Sequence, residues 1–386
     1  MRDVLRAALL LLLMFGSQES FGAESIRIGV SLGLKGQYKE PAEMQQRAYE
    51  LWRDDVNSRG GLLGHQIELI VRDDESSAEK ALPIYREFVA NDGVDFVFGP
   101  YSSEITAAVA KSVDTAGYPM LAAGASADEI WKQGYHNIFG MLPPASRYTQ
   151  GILRQSHSAG LSSMAILHAN DSFSTEIAAG ARKWAPYLNL KVLLDEGFAK
   201  DKPDLTDEIR RAQSAGAELL VIAGHLNEAV LAKRALKQMR WVPRAFFATV
   251  GPVLPAWSML VADPADATFA TSIWEPNDSF PHSRDFAAAF EKRYGIAASY
   301  QAATAYATGE ILEAAIAAAA STDRNAVREA IFALDSYTVL GRFAVDRTGI
   351  QVKRIDLLIQ WQNGRKEIVW PEEIRTRPPV FGSGPP

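Results

Sequence analysis

No cysteine occurs among the 386 residues. Its absence excludes disulfides, thiolate metal sites, iron–sulfur clusters, cysteine nucleophiles and lipid attachment through cysteine. Positive charge is not in excess: 40 Lys and Arg stand against 46 Asp and Glu, a formal net charge of -6. The chain therefore has no general attraction to nucleic acid or anionic lipid. Nucleotide fingerprints are missing too. Glycines 29, 33 and 36 follow the first apolar run, but not in G-x-G-x-x-G spacing, and there is no P-loop. The six histidines (65, 136, 157, 168, 225 and 282) form no i, i+4 pair and no H-E-x-x-H. Gly124-Ala125-Ser126-Ala127-Asp128 lacks the second glycine of a nucleophile elbow. Asp73-Asp74 fits a solvated loop cap better than an acid–base pair. With no catalytic constellation, the expectation is a protein that is not an enzyme and holds no cofactor and no metal.

Long apolar runs are equally scarce. Ala7–Phe15 follows Arg2 and Arg6 but falls short of the about twenty residues that span a bilayer. Small residues come next, up to Gly22-Ala23. This is the pattern of a secretory signal peptide over 1–23, cleaved near 22–23; the alternative is an uncleaved N-terminal anchor. Ala302–Ala320 is rich in alanine but carries Glu310 and Glu313, which are costly in lipid. It reads as a close-packed helix of a water-soluble domain.

What is present is a repeated strand–helix rhythm. Ile26–Val30, Ile67–Val71, Val94–Phe98 and Pro119–Leu121 have strand length. Pro41–Asn57, Glu79–Ala90 and Ser103–Ala116 have helical periodicity. After Pro143-Pro144 the rhythm restarts. Helices are expected over Ser146–Ala159, Glu176–Tyr187, Leu205–Ser214 and Asn227–Gln238. Strands are expected over Met164–His168, Val192–Leu194 and Leu219–Ala223. Helices then dominate (Arg284–Tyr294, Gln301–Ala320, Arg324–Leu334) before strands Ile355–Trp361 and Glu367–Trp370, joined by the hairpin signal Asn363-Gly364. The fold class is α/β, with two doubly wound lobes and a site in the cleft between them.

Several segments carry a family resemblance: IRIGVSLGLKGQY, DDVNSRGGLLGHQIELIVRDDES, GVDFVFGPYSS, PMLAAGASADEIW, VIAGHLNEA, Trp274-Glu275-Pro276 and SYQAATAYATGEILEAA. From Ile26 to about Pro371 the chain resembles the periplasmic solute-binding proteins of branched-chain amino acid ABC transporters, the leucine/isoleucine/valine-binding type. The resemblance implies two Rossmann-like lobes joined by a three-crossover hinge: 24–143 plus 275–342, and 144–274 plus 343–372, with 373–386 an irregular tail. It also implies hinge closure on a small solute, delivery to ABC permease subunits, a periplasmic location and a monomer.

The same resemblance points to site residues. Ser103, beside Ser102, would grip a solute carboxylate at a helix N-terminus, where the dipole favours an anion; its plainer role is that of helix N-cap. Gly124, Ala125 and Ser126 would complete the head-group site. Tyr38 and Tyr101 would face the solute's body, and Phe173 and His225 would come from the second lobe. Val250 stands where amino-acid binders carry the acid that pairs with the solute's ammonium. Either Asp171 or Glu275 replaces that acid, or the solute has no ammonium. A sensory ligand-binding subunit that signals to a membrane receptor fits the same residues as a transporter subunit does.

Overall fold

The computed structural model describes residues 24–261, 267–277, 279–353 and 356–383. The segment read as a signal peptide, 1–23, lies outside them. The chain first forms β1 (Ile26–Leu32), α1 (Lys39–Ser58), β2 (Ile67–Asp73), α2 (Ala78–Ala90), β3 (Phe96–Phe98), α3 (Ser103–Thr115), β4 (Met120–Ala122) and β5 (Ile138–Gly140). It continues with α4 (Gln150–Ser158), β6 (Ser163–Ala169), α5 (Ser172–Trp184), β7 (Lys191–Phe198), α6 (Thr206–Ser214), β8 (Leu219–Ala223), α7 (Leu226–Met239), β9 (Ala245–Ala248), α8 (Trp257–Val261) and β10 (Thr268–Ser272). Last come α9 (Ser283–Tyr294), α10 (Tyr300–Ala319), α11 (Arg324–Ala333), β11 (Ser336–Thr338), β12 (Gly341–Phe343), β13 (Leu357–Gln362) and β14 (Arg365–Trp370).

Two sheets organise these elements. The first has the order β2-β1-β3-β4-β5 and is wholly parallel. The second runs β14-β13-β10-β9-β8-β6-β7. Its five parallel strands repeat the first sheet's order, with β7, β6, β8, β9 and β10 standing where β2, β1, β3, β4 and β5 stand. Both sheets are sandwiched by helices, so their central strands are apolar on both faces; β8 (Leu219–Ala223) is buried throughout. The order changes direction between β1 and β3 in one lobe and between β6 and β8 in the other. Ligands of doubly wound sheets bind at these switch points, beyond the strands' carboxyl ends.

Three passages join the lobes. The chain leaves the first sheet after β5 and leaves the second after β10. Helix α10 then packs along α1, where Arg59 holds Glu313 at 2.9 Å and Tyr306 donates to Asp55 at 2.7 Å. Gly349 still belongs to this side, its carbonyl accepting from Gly140 N–H at 2.8 Å on the edge of the first sheet. The chain then crosses for the third time into β13. The hairpin at Asn363-Gly364 forms as its sequence suggests, with φ of 52° and 72° and Gln362 paired to Arg365. No helix among the described residues is long and apolar enough to cross a membrane.

Some expected elements differ. The helix expected over Ser146–Ala159 is split: a 3-10 turn occupies Ala145–Arg147 and α4 starts only at Gln150. Asp128 accepts from the Ser146 backbone N–H and hydroxyl, which pins that turn. The short strand expected over Val192–Leu194 extends to Phe198 because β6 pairs with it along its whole length. Strands β5 and β10, with few residues and no alternation, were not legible.

Glu310 of α10 faces Val339, whose N–H it accepts at 2.9 Å. Burial pushes its carboxyl up to about 7. The folded value lies above the ordinary unfolded one near 4.3, so the folded state keeps a proton that the unfolded state loses. Its contribution is intact below about pH 4.3 and is lost as pH rises through about 7. Unfolding by urea should therefore show stability falling between pH 5 and pH 8 by on the order of 1–3 kcal/mol. Glu310→Gln should flatten that slope; an equally steep slope in the variant would contradict the assignment.

Candidate functional site

The loops at the two switch points supply the site. In the first lobe, Tyr38 ends the loop after β1, Tyr101 and Ser102 follow β3, and Gly124 to Ser126 follow β4. The β3 and β4 loops are tied together, with Ser102 N–H donating to Gly124 O at 3.1 Å. In the second lobe, Phe173 lies in the first turn of α5, after β6, and His225 precedes α7, after β8. Glu228 accepts from His225 N–H at 2.8 Å and fixes that turn.

Ser103 is not the helix cap. Ser102 is: its hydroxyl accepts from Ile105 N–H at 3.2 Å, and Ser103 is the first helical residue. Ser102 reaches this position with φ 87° and ψ 145°, a backbone region costly for any residue with a side chain. Strain of that kind concentrates at functional loops. Ser103 Oγ accepts from Ser126 N–H at 3.1 Å and from Ala127 N–H at 3.0 Å. Both hydrogen bonds use its lone pairs, which leaves the hydroxyl proton to donate. The positive end of the α3 macrodipole lies in the same place. The arrangement suits an anion.

Apolar rings from both lobes meet over this head-group region. Tyr38 packs edge-on against Tyr101 at 5.5 Å and against His225 at 4.9 Å. Phe173 lies 5.2 Å from His225, and Tyr148 packs on Phe173 at 5.5 Å. Burial, then the nearby Asp171 and Glu104 carboxylates, push the Tyr38 hydroxyl well above its ordinary range. Burial does the same to Tyr101. Both phenols stay neutral donors. The lobes close on a small cavity of about 10 Å³ whose lining includes Tyr101, Ser102, Ser103, Gly124, Ser126, Phe173 and His225. At the lip, Lys200 of the second lobe pairs with Glu104 of α3 at 2.8 Å, and Lys132 lies 3.9 Å from Glu176.

Three expected residues do not line the cavity. Tyr38 packs on the lining rings of Tyr101 and His225 instead. Val250 does not line the cavity; its side chain is buried in the main apolar core beside a 3-10 turn. Ala125 is likewise in a core cluster. Of the two substitute acids, Glu275 is committed to Lys366 at 2.9 Å and to the Ser272 hydroxyl at 3.0 Å. Asp171 caps α5, accepting from Ser174 N–H at 2.9 Å and from its hydroxyl at 2.8 Å. Sequence reasoning missed Tyr148, Tyr300 and Gln301, which also line the cavity. Gln301 carried a signal: it is a polar residue at the start of an otherwise alanine-rich, buried helix. A larger groove of about 360 Å³ at Trp241 and Phe246 lies at the amino end of β9, the wrong end of the sheet for a ligand site.

Comparison with known proteins agrees with this fold. Residues 25–366 match the family model described as "Periplasmic binding protein". The Leu/Ile/Val-binding protein homolog 7 of Brucella suis is 24% identical over 366 residues, covering 90% of this chain and 92% of the relative. Among solved structures, the branched-chain amino acid transporter substrate binding protein of Streptococcus pneumoniae, in complex with isoleucine, superposes with a TM-score of 0.82. It has 21% identity and covers 90% of this chain and 100% of that one. A solute binding protein of an ABC transporter from R. palustris, in complex with benzoate, gives a TM-score of 0.78 at 18% identity, covering 93% and 98%. Two lobes of repeated strand order, a site at their facing switch points and a family match over most of the chain lead to one conclusion: the chain belongs to the periplasmic binding protein family.

Proposed function

We propose that the protein is an extracytoplasmic solute-binding subunit of an ABC transporter, not an enzyme, and that it captures a small amphipathic carboxylate between its lobes. The observation that carries the reading is the Ser102–Ser103 corner. Two serine hydroxyls and a helix N-terminus lie on one lobe, opposite the Phe173 and His225 rings of the other. The carboxylate would accept a hydrogen bond from the Ser103 hydroxyl, with Ser126 beside it. The solute's body would lie among Tyr38, Tyr101, Phe173 and His225. Closure on the solute would then present the joined lobes to permease subunits. We assign 24–143 and 275–349 to the first lobe and 144–274 with 352–372 to the second, and a cleaved leader to 1–23.

The test is thermal unfolding of residues 24–386 with branched-chain amino acids and with aromatic, oxo and hydroxy acids. A ligand bound only by the folded state raises Tm with concentration. Stabilisation by at least one carboxylate, recovered chemically unchanged, is the expected result. If none stabilises it, or one is turned over, the reading is wrong.

The lip ion pair gives a further expectation. Lys200 and Glu104 are both exposed, so their pairing is worth at most about 1 kcal/mol. Glu104→Lys should weaken solute binding about 3- to 5-fold. Salt should weaken the wild type in the same direction and the variant hardly at all. Equal salt dependence in both would remove the latch.

A further inference from the structure

None of the described residues lining the cleft cavity is Asp or Glu. Asp171 stands behind His225, 4.0 Å from Nε2, with both oxygens already accepting from Ser174. Glu275 is held by Lys366, and Val250 is in the core. The cavity offers an uncharged amide instead. Gln301 is 1% exposed and lines the cavity, and neither its Nε2 nor its Oε1 makes a hydrogen bond of normal geometry, although the Tyr101 and Tyr300 hydroxyls lie close enough to interact with the amide. Native proteins rarely leave such an amide unpaired, because both its dipoles have been removed from water. A second amide, Gln45, is fully buried and likewise unpaired. It packs beneath Gly124, where an added Cβ would come within 3.1 Å of its Nε2.

We propose that the solute is a 2-oxo or 2-hydroxy carboxylate with an apolar or aromatic body, and that Gln301 selects it by hydrogen bonding the 2-substituent. This rests on the carboxylate-binding reading above. A carboxylate on Ser103 carries its 2-substituent on the adjacent carbon, toward the same small cavity that Gln301 lines. The amide N–H donates to an oxo oxygen; a hydroxyl can both accept from the amide and donate to it. An ammonium there would face a neutral dipole and no unpaired acid, and a buried cation without a partner is disfavoured. The rings of Tyr38, Tyr101, Phe173 and His225 suit a flat or branched apolar body.

Titration calorimetry on residues 24–386 with matched solutes tests this. One series is phenylpyruvate, 3-phenylpropanoate and phenylalanine; the other is 4-methyl-2-oxopentanoate and leucine. In at least one series the oxo acid should bind at least about 30-fold tighter than its amino acid, with 3-phenylpropanoate about 5- to 10-fold weaker than phenylpyruvate. Gln301→Leu should bring phenylpyruvate down to the level of 3-phenylpropanoate. Gln301→Glu should reverse the preference, tightening the amino acid about 10-fold or more. Amino acids binding as tightly as their oxo counterparts would overturn the proposal, as would variants that fold and keep the wild-type ratio. Should the variants not fold, the wild-type series alone decides. If no member of either series binds, the carboxylate-binding reading itself fails, a result distinct from the wrong preference.

Discussion

Ser103→Ala should weaken carboxylate binding by about 2–3 kcal/mol, roughly 30- to 150-fold, without unfolding the protein. Two losses combine. The first is the hydroxyl donor that the proposed site would offer a solute carboxylate, a charge-assisted hydrogen bond in a water-poor cleft. The second is internal: Ser103 Oγ accepts from the N–H groups of Ser126 and Ala127, and these are left without a partner inside the first lobe. The loop after β4 would then loosen in the free protein, lowering its own stability by on the order of 1 kcal/mol or more. Ser102→Ala removes a different contact, the cap on Ile105 N–H, which is worth about 1 kcal/mol of stability. Calorimetric titration and urea unfolding of both variants separate the roles. Ser103→Ala should lose far more affinity than stability, and Ser102→Ala should not. Unchanged affinity in Ser103→Ala would sink the head-group assignment.

Much of this corner was legible before the fold was known. Ser103 was singled out by the family resemblance, and it opens a helical pattern after a strand, where the dipole favours an anion. Which serine caps the helix was not legible. The choice depends on the φ of Ser102, and serine carries no sequence signal for a left-handed backbone. Ser126 and the rings at 38, 101, 173 and 225 were singled out by the family resemblance, and the fold puts Ser126, Tyr101, Phe173 and His225 around one cavity. Val250 was misleading. A residue two places beyond β9 can point into the cleft or into the core, and the Gly251-Pro252 turn directs its side chain to the core. Gln301, at the start of α10, and Tyr148, just after the first crossover, escaped because no local periodicity encodes the cleft contacts they make.

The same division holds for the fold. Fully buried parallel strands such as β8 stand out as short apolar runs bounded by turn residues. Strands β5 and β10 are short, and their pairing is settled by distant partners, Met120 to Ala122 for β5 and Leu357 to Gln360 for β10. The third crossover was placed only through the family resemblance, near 342–351. Its position is governed by the Gly349 carbonyl on the edge of the first sheet, a contact between residues more than two hundred apart in sequence.

One consequence of the packing of α10 on α1 inside the first lobe reverses an expectation from helix propensity. Gly309 lies in the interior of α10, where replacing glycine with alanine ordinarily stabilises a helix by about 1 kcal/mol. Here the helix crosses α1 so closely that a Cβ on Gly309 would stand 2.1 Å from Trp52 Cδ2 and 2.4 Å from two further ring atoms. Trp52 is 1% exposed and packs against Phe98 at 6.0 Å between ring centroids, so it has no room to retreat. Overfilling a packed interior typically costs about 1–3 kcal/mol and more where a ring or backbone must shift. Gly309→Ala should therefore destabilise the protein by about 3 kcal/mol, and Gly309→Val by more or to the point of not folding. Trp52→Ala removes every ring atom that the new methyl would strike. In that background Gly309→Ala should cost at least about 1 kcal/mol less, a coupling that a double-mutant cycle in urea measures directly. Gly309→Ala that is neutral or stabilising would mean that propensity wins, and that α1 and α10 do not approach as closely as described.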